Sequence, residues 1–147
     1  MSVFYYFFRG DFLMTGMNIL AMLVWTGASA ILLFLLMWID SLFTKYKDLE
    51  EIKKGNVAVT TRFAMKLFAQ GYILSQSITK SNDLWQALLA SAVSFAILLF
   101  VQMFVEFILR KAFDLDVEEG TKQGYVAHAV LGGSLHVVGA LILAACL

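Results

Sequence analysis

Two cations stand where a membrane-spanning helix would ordinarily present hydrocarbon. The stretch Gly55–Thr79 reads GNVAVTTRFAMKLFAQGYILSQSIT and has the length and apolar content of a span. It nevertheless carries Arg62 and Lys66 one helical turn apart, with Gln70 continuing the same face. At about 1.5 Å rise per residue, Arg62 lies roughly 10 Å and Lys66 roughly 16 Å in from Gly55, near the middle of an apolar layer about 30 Å thick. A cation facing lipid at that depth costs about 2.5–3.5 kcal/mol, so both are expected to face protein, water or a bound anion. Their chemistry would then be a cationic lining for an anion path or for a lipid headgroup. The structural alternative is that both snorkel toward the near interface, because Cβ atoms lean toward a helix N-terminus, or that they pair internally. Glu106, near the end of the third apolar stretch, is placed to pair with Arg62. Lys66 lies deeper and has no obvious carboxylate, which makes it the first choice for a functional residue.

His128 and His136 lie eight positions apart in the last apolar stretch, about 80° apart around a helix. A metal or haem site would need further ligands, and the chain has no third histidine and only one cysteine, Cys146, so neither a metal nor a cofactor is expected. Interhelical hydrogen bonding accounts for such histidines, and a proton relay with Glu106 is the functional alternative. Glu50, Glu51, Glu118 and Glu119 resemble paired acid–base carboxylates, but they sit beside lysines in polar segments and are read as solvent-exposed. No Gly-rich phosphate loop, nucleophile elbow or HExxH helix occurs, so no enzymatic activity is expected. A basic stripe with interleaved aromatics is also lacking, which argues against nucleic-acid binding.

The elements that must position these residues follow from composition. Hydrophobic residues make up 61% of the chain and charged ones 15%, against about a quarter charged in soluble domains. Residues 1–147 read as a single all-α membrane domain, expected to cross the bilayer four times. An aromatic lead-in over 1–11 suits the interface rather than the hydrocarbon, and no cleaved signal peptide is expected. Spans are expected over Phe12–Ile39, Gly55–Thr79, Leu84–Leu109 and Gly124–Leu147, joined by solvated charged segments at Asp40–Lys54 and Arg110–Gln123. Asn82 or Asp83 would cap the third span. The last span is rich in small residues (Ala129, Gly132, Gly133, Gly139, Ala140), which points to close helix packing and to a homo-oligomer.

An offset of 68 residues sets Asp48 on Asp116, Glu50 and Glu51 on Glu118 and Glu119, Lys54 on Lys122, and Gly71 on Gly139. Each unit is span, charged segment, span, so the four helices would form two parallel two-helix repeats, about 17–79 and 85–147. EEIKKGNVAV followed by a small-residue-rich helix resembles DUF350, also called the YjfL family, from about Met17 to Leu147. The resemblance implies a bacterial inner-membrane protein of four spans in two repeats, with a Gly-Asn-x-Ala signature opening the even-numbered spans and no established catalytic residues. Gly55, Asn56 and Ala58 carry the signature in the first unit. At the 68-residue offset the second unit has Gln123, Gly124 and Tyr125 there.

Basic residues orient the whole. Lys45, Lys47, Lys53, Lys54, Arg110, Lys111 and Lys122 fall on one side, Arg9 and Lys80 on the other. The positive-inside rule puts both charged segments in the cytoplasm and both termini outside. The leading expectation is a non-enzymatic inner-membrane subunit of an oligomer, embedded in the lipid bilayer and offering segments 40–54 and 110–123 to a cytoplasmic protein partner. The alternative is a small channel or transporter in which Lys66, Arg62 and Gln70, with Glu106, His128 and His136, form a binding site or pathway.

Overall fold

The computed structural model describes residues 16–147; the lead-in expected over 1–11 lies outside the described residues. Six helices follow one another: α1 (Gly16–Phe43), α2 (Asp48–Lys53), α3 (Val57–Lys80), α4 (Leu84–Phe113), α5 (Val117–Lys122) and α6 (Val126–Cys146). By its internal contacts the chain divides after Ile31. The first unit contributes residues 16–31 of α1, an uncharged and mostly exposed helical stretch. The second unit holds the rest of α1 and all later elements.

Two helices run past their expected ends, α1 to Phe43 rather than Ile39 and α4 to Phe113 rather than Leu109. Hydropathy marks where hydrocarbon gives way to water, whereas helical hydrogen bonding continues through Asp40 and through Arg110 and Lys111. The latter two are cations that the C-terminal end of a helix dipole favours. Asp83 caps α4 by accepting from the Gln86 N–H at 2.8 Å, and Asn56 and Asp116 cap α3 and α5 in the same way. The expected solvated segments thus contain two short helices, α2 and α5.

The junctions α2–α3 and α5–α6 share one backbone geometry. Gly55 and Gly124 take left-handed φ values of 82° and 92°. Each glycine N–H bonds back to Ile52 O or Thr121 O, and the next N–H (Asn56, Tyr125) reaches Glu51 O or Gly120 O. This is the Schellman arrangement, which satisfies the last carbonyls of one helix and turns the chain into the next. The local offset, from Gly55 to Gly124, is 69 residues, not the 68 that maximises charge matches. In the structural register Gly55-Asn56-Val57-Ala58 faces Gly124-Tyr125-Val126-Ala127.

The three long helices of the second unit are inside-out relative to a water-soluble bundle. The buried stripe of α3 includes Arg62, Lys66, Ala69, Gln70, Ile73 and Ser77, while Phe68 is 78% exposed. The inner faces of α4 and α6 carry Ser91, Ser94, Gln102, Gly132, Gly133, His136 and Ala140, and their outer faces carry Leu89, Phe100, Phe104, Val130 and Ile142. Large apolar side chains outside and small or polar ones inside is the distribution that hydrocarbon imposes. α3 packs most extensively on α6 and next on α4, around a core of Ala69, Ile73, Leu98 and Ala140. By length and composition Asn18–Phe43, Leu84–Phe113 and Val126–Cys146 are able to cross a membrane.

Both junction glycines have open space where a Cβ would be, so substitution there is resisted by backbone conformation alone. Gly55→Ala and Gly124→Ala are each expected to destabilise the protein by about 1–2 kcal/mol, with Asn at either position costing less than Ala. Thermal denaturation in detergent measures this, and equal stability of the Ala variants would contradict the assigned geometry.

Candidate functional site

The candidate site is a buried charge cluster assembled from α1, α3, α4 and α5. Arg62 and Lys66 descend one face of α3 and are 2% and 3% exposed. Lys66 Nζ lies 2.6 Å from Asp40 Oδ2, and Asp40 is itself buried. This corrects the expectation that Lys66 has no carboxylate partner and that Asp40 opens a solvated segment. Because α1 continues through Phe43, Asp40 shares a buried helical face with Leu36 and Met37.

Arg62 pairs with Glu106 through Nη2 and Oε1. The same Oε1 accepts from Gln102 Nε2 at 3.0 Å, and Gln102 Oε1 accepts from His136 Nδ1. With an amide oxygen as its partner, Nδ1 carries the proton. Gln102 does not titrate, so it orients His136 and Glu106 rather than passing protons between them. A cavity of about 20 Å³ lies among Asp40, Arg62, Lys66, Gln102, Glu106 and Glu118, room for about one water molecule. Asp40 Oδ1 and Arg62 Nε and Nη1 are buried without a protein partner.

Arg62, Lys66 and Glu106 therefore meet at one cavity, and His136 reaches it through Gln102. Gln70 does not join them; its Nε2 lies 3.3 Å from Ser91 Oγ, deeper along α3. His128 is also separate, packed edge-on against Tyr125 with ring centroids 5.6 Å apart. Its ring sits against Gly120, where an added Cβ would lie 1.6 Å from Nδ1.

The flanking segments interlock. Lys45 Nζ bonds Asp116 Oδ2 at 2.9 Å, the Lys45 backbone N–H donates to Glu118, and Asn56 Nδ2 donates to Lys122 O at 3.0 Å. Glu51, Glu118 and Glu119 are half-buried, not exposed as expected; only Glu50 is. Burial pushes the Glu118 and Asp48 carboxyls and the Tyr46 hydroxyl above their ordinary values. The Glu119 N–H, followed by Lys45, holds Asp116 below its own. Gly132 and Gly133 of α6 pack within the chain. A Cβ on Gly133 would meet Met65, and one on Gly132 would stand 2.8 Å from Val117 and 3.2 Å from Arg62 Nε.

The model of the family described as Domain of Unknown Function (DUF350) matches residues 13–147. The chain belongs to the DUF350 family. This DUF350 protein is also similar to the UPF0719 transmembrane protein YshE of Bacillus subtilis (strain 168). The two are 28% identical over 116 residues, which is 78% of this chain and 87% of that protein. No solved structure matches the chain. In this DUF350 protein Asn56 caps α3 and ties it to the end of α5.

Removing one partner of a buried pair leaves an uncompensated charge and costs about 3–5 kcal/mol. Glu106→Gln is expected to lower stability by an amount of that order, and Arg62→Gln in the same protein to recover part of it. Denaturation of the two single variants and the double variant measures the coupling; additive losses would contradict the pair.

Proposed function

We propose that this DUF350 protein is a non-enzymatic membrane subunit of the bacterial inner membrane that crosses the bilayer four times as two like-oriented hairpins. The observation that carries this is the inward turn of Arg62 and Lys66, the two charges within the body of α3, while Lys80 stands exposed at its end. With Arg62 and Lys66 each facing a carboxylate, the outward surface of α3 is apolar enough to meet lipid, so α3 serves as the fourth crossing beside the three more hydrophobic helices. The common 69-residue geometry of the two loop–helix junctions supports the parallel repeat.

The same pairing weighs against an anion path. Two cations balanced by two carboxylates offer no net positive lining, and a cavity of about 20 Å³ admits no hydrated anion. The interlocked segments instead form one polar platform, from which Lys47, Glu50, Lys53 and Lys122 project into solvent. That platform is the surface offered to a cytoplasmic protein partner, with both termini on the opposite side. The split of basic residues supports this orientation.

Reporter fusions after Lys53 and after Asn82 test the topology. A cytoplasm-dependent reporter is expected to be active at Lys53, and a periplasm-dependent one at Asn82. The opposite pattern, or the same side for both fusions, would overturn the four-crossing orientation.

A further inference from the structure

The charge cluster does not balance if all its acids are ionised. Asp40, Glu106 and Glu118 line the cavity against Arg62 and Lys66. Asp48, 5% exposed and with Oδ2 unpartnered, lies close enough to feel Asp40, Lys66 and Arg62. Lys45 does not make up the difference, because its ammonium is bound to Asp116 and only its backbone N–H reaches Glu118. Four carboxylates against two cations leave two negative charges in a region with little water. Like charges held close in low dielectric take up a proton rather than remain ionised.

Two of the four acids are already matched. Asp40 faces the Lys66 ammonium, and Glu106 Oε1 receives both Arg62 and Gln102. Of the acids lining the cavity, Glu118 alone comes from outside the long helices and alone has no cation within ion-pair distance among the described residues. Its charged neighbours are Lys45 beyond α1, Arg62 on α3 and Glu106 on α4. One side of it touches the exposed Lys45 backbone and the other the cavity, so it connects the solution around α2 and α5 to the buried pairs. The unpartnered Asp40 Oδ1 and Arg62 Nη1 supply an acceptor and a donor at the cavity's inner residues, the complement a single water needs.

We propose that the cluster is a proton-binding site and that Glu118 is the carboxyl that exchanges its proton with the solution bathing the loops. Which compartment that solution belongs to rests on the orientation proposed above; the site itself does not. Burial raises the Glu118 carboxyl above its ordinary 4.5 in the folded protein. The native state therefore holds the proton more tightly than the unfolded one, and this contribution to stability is lost as pH rises from 4.5 through the folded value.

The test is pH-dependent infrared difference spectroscopy of the full chain in lipid nanodiscs, read at the C=O stretch of a protonated carboxyl. A band titrating with a midpoint above 4.5 is expected, losing its Glu118 component in Glu118→Gln and keeping that component in Asp48→Asn. Glu118→Gln is also expected to raise the thermal midpoint at alkaline pH, with the gain vanishing below the ordinary glutamate range. The proposal is overturned if no carboxyl titrates above 4.5, if Glu118→Gln leaves the titrating amplitude unchanged, or if Asp48→Asn removes all of it. Infrared and thermal readings are indifferent to orientation, so failure here and failure of the topology fusions are distinguishable.

Discussion

A charge buried among packed helices must bring its counter-charge with it, and the second unit of this protein is arranged around that requirement. Arg62 and Lys66 fix the rotation of α3, because only one face can hold both against protein. That rotation calls for a carboxylate from α1 and another from α4, which Asp40 and Glu106 supply. It also calls for a flat neighbour on α6. Gly132 is that neighbour, since a side chain there would press on Arg62 and Val117. The glycines of α6 thus belong to the burial of a guanidinium and of Met65 as much as to helix association in general. Desolvating four charges is costly, and pairing offsets the cost without removing it. The second acceptor bond from Gln102 onto Glu106 and its link to His136 extend the compensation to α6.

Outside the long helices, the same logic takes a weaker form. The contacts of Lys45 with Asp116 and Glu118 are partly exposed and are individually worth little. Their effect is geometric: together with Asn56 bonded across to Lys122, they tie the residues on either side of α2 to the two ends of α5. Glu118 belongs to both layers, which is why a residue in an apparently solvated segment lines an interior cavity.

Much of the helical order was legible in the sequence, because long uncharged runs and Asn or Asp caps have direct physical meaning. The convergence of Arg62 and Glu106 was legible too, from the opposite lean of Cβ vectors on helices of opposite direction. Asp40 and Lys66 converge in the same way, but Asp40 is the first charged residue after an apolar run and so reads as the start of a loop, although Leu36 and Met37 mark its face as buried. The spacing between the two loop–helix junctions exceeds by one residue the offset that matches like charges, because such matching rewards side chains that turns tolerate anywhere. The left-handed glycines at 55 and 124 fix the backbone and set the offset. Gln102 carries no charge to mark it, yet it stands one turn before Glu106 on the same face. The small residues of α6 could not reveal from sequence whether Met65 and Arg62 or a second copy would fill the space above them.

Arg62 and Lys66 are held on α3 by pairing rather than by water or a passing anion, and Lys66, the deeper of the two, is the residue on which to measure it. The decisive measurement is the stability, in lipid nanodiscs, of Lys66→Met, Asp40→Leu and the double variant compared with the parent protein. The account predicts that each single change destabilises by about 3–5 kcal/mol and that the double variant is more stable than either. Single variants as stable as the parent, or a double variant whose loss is the sum of the two, would contradict it.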